Sequence, residues 1–187
     1  MMRNILAESI RAIRPYDALE LEQIQEVLVW IDSGAPLYRI TKPDIPPQHL
    51  VSYFVLFDAL QEKVLLVDHK KAGLWLPSGG HVEPNEHPQT TVRRELREEL
   101  GIEAIFLSPA PLFLTVTPTV GHTAGHIDVS LWYLLQGNCS QELTFDREEF
   151  NQIGWFALDA LPFAHSDPHL GRFVAKLKLW MLSAASK

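Results

Sequence analysis

A chain of 187 residues with 47% apolar and 21% charged residues has the composition of a folded globular domain, not of a disordered chain. Its 16 basic and 23 acidic residues leave a net charge of −7, which argues against non-specific binding to nucleic acid or to an anionic membrane. A small anionic substrate whose charge is carried by metal ions is not excluded. The single cysteine, Cys139, can form no internal disulfide. The first residues lack a signal-peptide apolar run, and no stretch approaches ~20 apolar residues, so a soluble cytoplasmic protein is expected.

The first predicted element is a helix near residues 17–33. Asp17 and Glu20 resemble a capping pair. Leu21, Ile24, Val27, Leu28 and Ile31 recur at helical spacing, and Gly34 supplies the stop. That stripe is too apolar to leave exposed, so the helix should cover its own domain or build a homodimer. A proline-marked connection through Pro36, Pro43, Pro46 and Pro47 follows. VSYFVLFD and KVLLVD are β-rich runs joined by a short polar turn, which predicts a hairpin. The glycine-rich stretch SGGHVEPNE leads into a helix opened by Pro88 and closed by Gly101. His87 is a poor N-cap by residue type. AIFLSPAPLFLTVTP, HIDVSLWYLLQ and IGWFAL read as strands, and a last helix starts from Asp167. Strands alternating with helices predict one α/β domain over residues 49–187, preceded by a helical extension and linker over residues 1–48.

The helix after the glycines carries the chemistry. At about 100° per residue, Val92, Leu96 and Leu100 fill one stripe, with Glu95, Glu98 and Glu99 along one flank. Arg93, Arg97 and Arg94 lie on the other, although Arg94 and Glu98 can pair at i, i+4. Like charges at i, i+3 and i, i+4 cost roughly 0.2–0.5 kcal/mol per pair, so a fold built for stability alone gains nothing from them. Oxygen ligands suit a hard cation such as Mg²⁺ or Mn²⁺, which binds through a few carboxylates and substrate phosphate oxygens. Gly79 and Gly80 allow the backbone to approach a ligand closely.

Gly80, five residues, Glu86, seven residues, then Arg94-Glu95-Leu96-Arg97-Glu98-Glu99-Leu100-Gly101-Ile102 resembles the Nudix box at every specified position. The resemblance implies a Nudix-type α/β/α sandwich with a mixed sheet, here with an N-terminal accessory helix. It also implies metal-dependent hydrolysis of a nucleoside diphosphate linked to another moiety. Carried over position by position, Glu95, Glu98 and Glu99 are expected to bind metal, with the Gly79 carbonyl as a backbone ligand. Glu86 and Arg94 are expected to brace the loop against the helix. The general base is expected at Glu98, with Glu149 a candidate outside the box. Two positions depart from the family pattern. Ser78 stands between Pro77 and Gly79, and Asn85 replaces the usual glycine before Glu86. Asn tolerates left-handed backbone better than most side chains, so the turn should survive.

Substrate contacts are less sharply marked. Lys70 could meet phosphates or simply sit at a hairpin tip, and Trp75 could stack on a base or pack in the core. In GHTAGHID, His122, His126 and Asp128 are candidates for substrate contact. The HxxxH spacing would suit a metal only on a helix, which Gly121 and Gly125 disfavour. Pro118 stands in a place similar to one in ADP-ribose-cleaving Nudix enzymes. The expected activity is therefore a Mg²⁺-dependent (or Mn²⁺-dependent) pyrophosphohydrolase acting on a (d)NTP or a nucleotide sugar such as ADP-ribose. Its partner would be a small nucleotide, with no long nucleic acid and no membrane. The rival is a non-catalytic Nudix-fold module that senses a nucleotide; such modules typically lose box glutamates, which are all present here.

Overall fold

The computed structural model describes residues 2–41, 45–119 and 125–185. Pro43 and His122 lie outside them. The described elements are α1 (Met2–Arg11), α2 (Ala18–Asp32), β1 (Gln48–Asp58), β2 (Lys63–His69), β3 (Leu74–Leu76), β4 (Ser78–His81), α3 (Pro88–Leu100), β5 (Phe113–Pro118), β6 (Ile127–Gln136), β7 (Phe150–Ala157) and α4 (Leu170–Ala185). A 3₁₀ turn, Phe163–His165, precedes α4. The strands form one mixed sheet of order β3-β2-β1-β6-β5, with β4 paired to β1 and β7 paired to β2.

β1 organises the sheet. It runs parallel to β6 from Gln48↔Ile127 to Phe57↔Gln136, and antiparallel to β4 and to the start of β2. Being buried on both faces, β1 and β6 read as nearly continuous apolar runs, as internal parallel strands must. Alternate residues serve opposite layers. Leu50, Phe54 and Leu56 pack in a core shared with α1, α2 and α3. Val55 and Phe57 join Trp132, Leu134, Phe173 and Leu177 under α4. The layering is helix, sheet, helix. Among the described residues, no helix is long and apolar enough to cross a membrane.

The N-terminal region holds α1 as well as the helix expected there. Its Leu6, Ala7 and Ile10 are buried. Arg3 donates to the carbonyls of Ile31 (2.8 Å), Gly34 (3.1 Å) and Ala35 (2.5 Å), placing a cation at the carbonyl end of α2. In α2, Ile24, Val27 and Ile31 enter the core of this same chain, while Leu21 faces outward. Asp17 caps α2 by accepting the Glu20 N–H at 2.9 Å. The reciprocal half of the capping pair is absent. Glu20 is fully buried and accepts instead from the Tyr16 N–H (2.6 Å), the Leu114 N–H (3.2 Å) and Lys176 Nζ (2.6 Å). Gln23 donates to the Val116 carbonyl at 3.2 Å. β5 ends the strand path, and an uncovered edge is a template for further pairing. Two polar side chains of α2 satisfy that edge.

Asp17 also takes both ends of the Arg172 guanidinium, at 2.6 and 2.7 Å. Arg172 holds the Asp17 carboxyl down at about 2, and the Cys139 N–H with the Gln61 and Leu60 N–H groups does the same for Asp58. Both folded values lie below the ordinary carboxylate value, so their contribution is complete above pH ~4 and is lost as pH falls through about 2. Melting temperature should therefore drop between pH 4 and 2. The drop should shrink in an Asp17→Asn, Asp58→Asn double variant, measured by thermal melts across that window.

Three further expectations need correction. His87 does cap α3, its Nδ1 accepting the Gln89 N–H at 3.1 Å, because an unprotonated imidazole nitrogen is an acceptor like a cap oxygen. The stretch 104–118 forms a strand only from Phe113, with Phe106 making a single bridge to Leu135. The first part of the glycine-rich loop is strand β4.

Candidate active site

The site is assembled where β4 lies between β1 and α3. Tyr53 pairs with Gly79 and Ser52 with Gly80. At Gly79, φ is 157° and a Cβ would stand 2.2 Å from the Ser52 carbonyl oxygen. At Gly80 a Cβ would stand 1.9 Å from Glu95 Oε1. Any side chain at Gly80 would occupy the space of a box carboxylate. Ser78 does not disrupt the path: it opens β4, is buried, and donates its hydroxyl to Glu99. Asn85 adopts φ 65°, the left-handed backbone that a glycine would have supplied.

α3 is held in register at both ends. Pro88 begins it, its carbonyl accepts the Ser52 hydroxyl at 3.0 Å, and Gly101 closes it at φ 69°. Val92, Leu96 and Leu100 are buried as the predicted stripe. Arg93 and Arg97 turn away from the glutamates: Arg93 lies over the Phe106 ring and Arg97 pairs with Glu103 at 2.9 Å. Arg94 does not join them on that flank. Its long side chain curls back, with Nη1 2.6 Å from Glu95 Oε1 and 3.6 Å from Glu98 Oε2, and Nη2 3.2 Å from Glu86 Oε2.

Glu86 gathers the loop. It accepts from Arg94, from the Thr91 hydroxyl at 2.8 Å and from the Glu83 N–H at 3.1 Å. Burial opposes its charge, yet Arg94 and these hydrogen bonds outweigh burial and hold the carboxyl below its ordinary value. Arg94 also donates to the His81 carbonyl at 3.3 Å, tying the end of β4 to α3.

The three box carboxyls differ in environment. Glu98 is 61% exposed. Glu95 is largely buried, and burial raises its pKa against the pull of Arg94. Glu99 is 5% exposed, and burial pushes it up to about 9, with Glu95, Glu149 and Asp146 adding repulsion. The donor set is oxygen-rich, negatively charged and short of counter-charge, with a glycine cradle beside it. That combination fits a hard divalent cation.

Glu149 adjoins this field. His69 Nε2 lies 3.4 Å from its carboxylate and keeps it below its ordinary value, and its charge reaches both Glu95 and Glu99. His69 escaped the sequence reading, because no local spacing links it to residue 149. Lys70 is exposed in the turn between β2 and β3, the hairpin tip that the sequence offered as an alternative; its ammonium meets the Arg147 carbonyl, and its N–H meets the Glu149 carbonyl at 3.0 Å. Trp75 is half-buried, edge-on to Phe156 at 4.9 Å between centroids, with its carbonyl taking the Ser166 hydroxyl. His126 and Asp128 sit elsewhere, in a cluster with His49 and His81.

A NUDIX domain family model matches residues 47–177. The chain belongs to the Nudix family. It is 36% identical over 93 residues to "Nucleoside triphosphatase NudI" of Klebsiella pneumoniae subsp. pneumoniae, covering 48% of this chain and 65% of that protein. It is 62% identical over 34 residues to "CTP pyrophosphohydrolase" of Escherichia coli K12, covering 18% and 25%. The matches thus span less than two thirds of these curated relatives. Among solved structures, a NUDIX-family hydrolase from Clostridium perfringens superposes with a TM-score of 0.56 at 24% identity, covering 71% of this chain and 97% of that one. The Caenorhabditis elegans Ap4A hydrolase does so with a TM-score of 0.57 at 17% identity and the same coverages. These likenesses establish the fold.

Proposed function

We propose that the chain is a Mg²⁺-dependent pyrophosphohydrolase that cleaves a diphosphate linkage in a nucleoside triphosphate. The observation that carries this reading is that Glu95 lies against Gly80 so closely that no side chain fits there, Glu99 is bonded to Ser78 of the same strand, and the charge of Glu98 reaches Glu95. The printed activities of the two curated relatives, a nucleoside triphosphatase and a CTP pyrophosphohydrolase, support a nucleoside triphosphate ahead of a nucleotide sugar. Glu95, Glu98 and Glu99, with the Gly79 carbonyl, would hold the cation. When bound, Mg²⁺ supplies charge neutralisation of the diphosphate and acidifies water.

The chain's own groups divide the remaining work. Glu98, the exposed member, is placed to orient a water and take its proton. Arg94 steadies Glu95 from one side while Glu86 anchors Arg94 from the other. Glu149, ionised beside His69, is the alternative base. Water adds across a P–O–P bridge, so each turnover yields two phosphate-bearing products. The helical extension over residues 1–48 acts as cover for the catalytic domain over 49–187, and the lone cysteine supports a cytoplasmic setting.

The test is an assay of the full chain with Mg²⁺ over nucleoside triphosphates, dinucleoside polyphosphates, nucleotide sugars and CoA, with products identified. Hydrolysis of a triphosphate to nucleoside monophosphate and pyrophosphate is expected. Preferred cleavage of ADP-ribose would move the substrate to the nucleotide sugars. Nucleotide binding with no product from any compound would make the chain a sensing module.

A second expectation concerns stability. Mg²⁺ alone should raise the melting temperature little, and Mg²⁺ with a non-hydrolysable triphosphate analogue should raise it clearly, since phosphate oxygens complete such sites. Differential scanning fluorimetry reads both. Unfolding on addition of a chelator that spares Zn²⁺ would point to a structural Mg²⁺ site instead.

A further inference from the structure

The box glutamates use the α3 face of β4. Its other face carries a separate group of ligand-bearing side chains. Gly80 projects toward Glu95, so its neighbour His81 projects the opposite way. There it meets His49 of β1, Asp128 of β6 and His126 just before β6, and one ligand atom from each of the four lies within 4.8 Å of the others. The register explains the meeting: His49 pairs directly with Asp128 across β1 and β6, and His81 pairs with Val51, two residues along β1.

The rings are arranged around a common centre. His49 stacks on His126 at 4.7 Å between centroids and lies 4.7 Å from His81. Asp128 Oδ1 is 3.2 Å from His126 Nε2 and 3.5 Å from His49 Nε2. His49 is fully buried, and its Nδ1 faces the Pro46 carbonyl at 2.9 Å. A carbonyl can only accept, so Nδ1 carries the proton and Nε2 presents its lone pair to the cluster. That Nε2 and Asp128 Oδ1 are buried and make no hydrogen bond among the described residues. On His126, Nδ1 lies 3.3 Å from the Thr119 hydroxyl, again leaving Nε2 turned inward. An outer carbonyl that fixes the tautomer and aims the other nitrogen, as Pro46 does for His49, is a usual support of a metal-binding histidine.

We propose that His49, His81, His126 and Asp128 form a second metal site, for a transition ion of the zinc class, distinct from the glutamate box. Three imidazoles and one carboxylate make a four-ligand shell suited to Zn²⁺ and poorly suited to Mg²⁺, which takes oxygen ligands and retains water. Tetrahedral Zn²⁺ with bonds of 2.0–2.1 Å sets its ligands about 3.3 Å apart, so small side-chain rotations complete the shell. Burying a carboxylate beside imidazoles is costly unless the charge is compensated, and a divalent ion provides that compensation. The ion would pin the beginnings of β1 and β6 to the end of β4. His81 is adjacent to Gly80 and its carbonyl is held by Arg94, so the site would stiffen the strand on which the box rests.

The full-length chain, stripped with a strong chelator and dialysed, is titrated with Zn²⁺ and separately with Co²⁺ in excess Mg²⁺. One Zn²⁺ per chain should bind and raise the melting temperature, and Co²⁺ should give the intense visible absorption of a tetrahedral site. Asp128→Asn and His126→Gln should each weaken Zn²⁺ binding by at least ~100-fold and abolish the Co²⁺ bands. Glu98→Gln should leave both signals intact. No Zn²⁺ uptake by the stripped wild type would overturn the site and leave a His–Asp hydrogen-bonded network. Co²⁺ bands that survive in both cluster variants, or vanish in Glu98→Gln, would overturn it equally.

Discussion

Glu20→Gln should destabilise the protein by about 3–5 kcal/mol, because it leaves the Lys176 ammonium buried without its counter-charge. For a chain of this size that corresponds to roughly 6–20 °C in melting temperature. The amide oxygen keeps an acceptor for the Leu114 N–H, while its NH₂ replaces the oxygen that accepts the Tyr16 N–H, so the loss reports the charge and that one hydrogen bond rather than the strand edge. Burial already pulls Lys176 below its ordinary pKa, against the hydrogen bond it donates to Glu20. Once Glu20 is neutral, Lys176 can escape the penalty by losing its proton, so the deficit should shrink as pH rises. A Glu20→Gln, Lys176→Met double variant should recover most of the loss, since apolar replacement of a whole buried pair is often neutral. Urea unfolding of the three proteins at pH 7 and pH 9 gives the comparison. A single variant within 1 kcal/mol of wild type would mean that the pair contributes nothing to holding α2 on the domain.

Glu98→Gln should lower Mg²⁺-dependent turnover by about 10²–10⁴-fold, the range expected when a general base and part of a metal shell are removed together. The fold should not suffer. Glu98 is the exposed member of the cluster, and its described ion pair is to Arg94 at 3.6 Å, a weak contact at the surface. Neutralising it also relieves repulsion from Glu95, whose pKa its charge helps to raise. Melting temperature should therefore stay within a degree or two of wild type. Glu149→Gln in parallel separates the two candidate bases. A large loss in Glu149→Gln with a small one in Glu98→Gln would reassign the base to the residue beside His69.

What the sequence made legible was local. Val92, Leu96 and Leu100 announce the buried stripe of α3, and Gly80 to Ile102 carries its spacing within a single strand, turn and helix. β1, β2 and β6 were readable because internal strands must be apolar. The missed features depend on residues far apart in the chain. Glu20 and Lys176 are 156 positions apart, and each on its own looks like an ordinary charge on a helix. His49 and His81 carry no local signal, and His126 with Asp128 suggested substrate contact; the β1–β6 register that pairs His49 with Asp128, and so builds the cluster, is invisible locally. Arg94 shows the limit of angular reasoning: its Cα lies away from the glutamates, but a long flexible side chain brings its guanidinium to them. β3 and β4, three and four residues long, are too short to show a period.

The central claim is that the box glutamates build a divalent-cation site that a nucleotide completes. It is tested most directly by titrating Mn²⁺, observed by its electron paramagnetic resonance signal, with and without a non-hydrolysable nucleoside triphosphate. The titration compares wild type with a Glu95→Gln, Glu98→Gln double variant whose helicity is checked by circular dichroism. Tight Mn²⁺ binding that requires the nucleotide in wild type, and is lost in the folded double variant, is the expected result. Nucleotide-dependent Mn²⁺ binding of equal strength in both proteins would contradict the account.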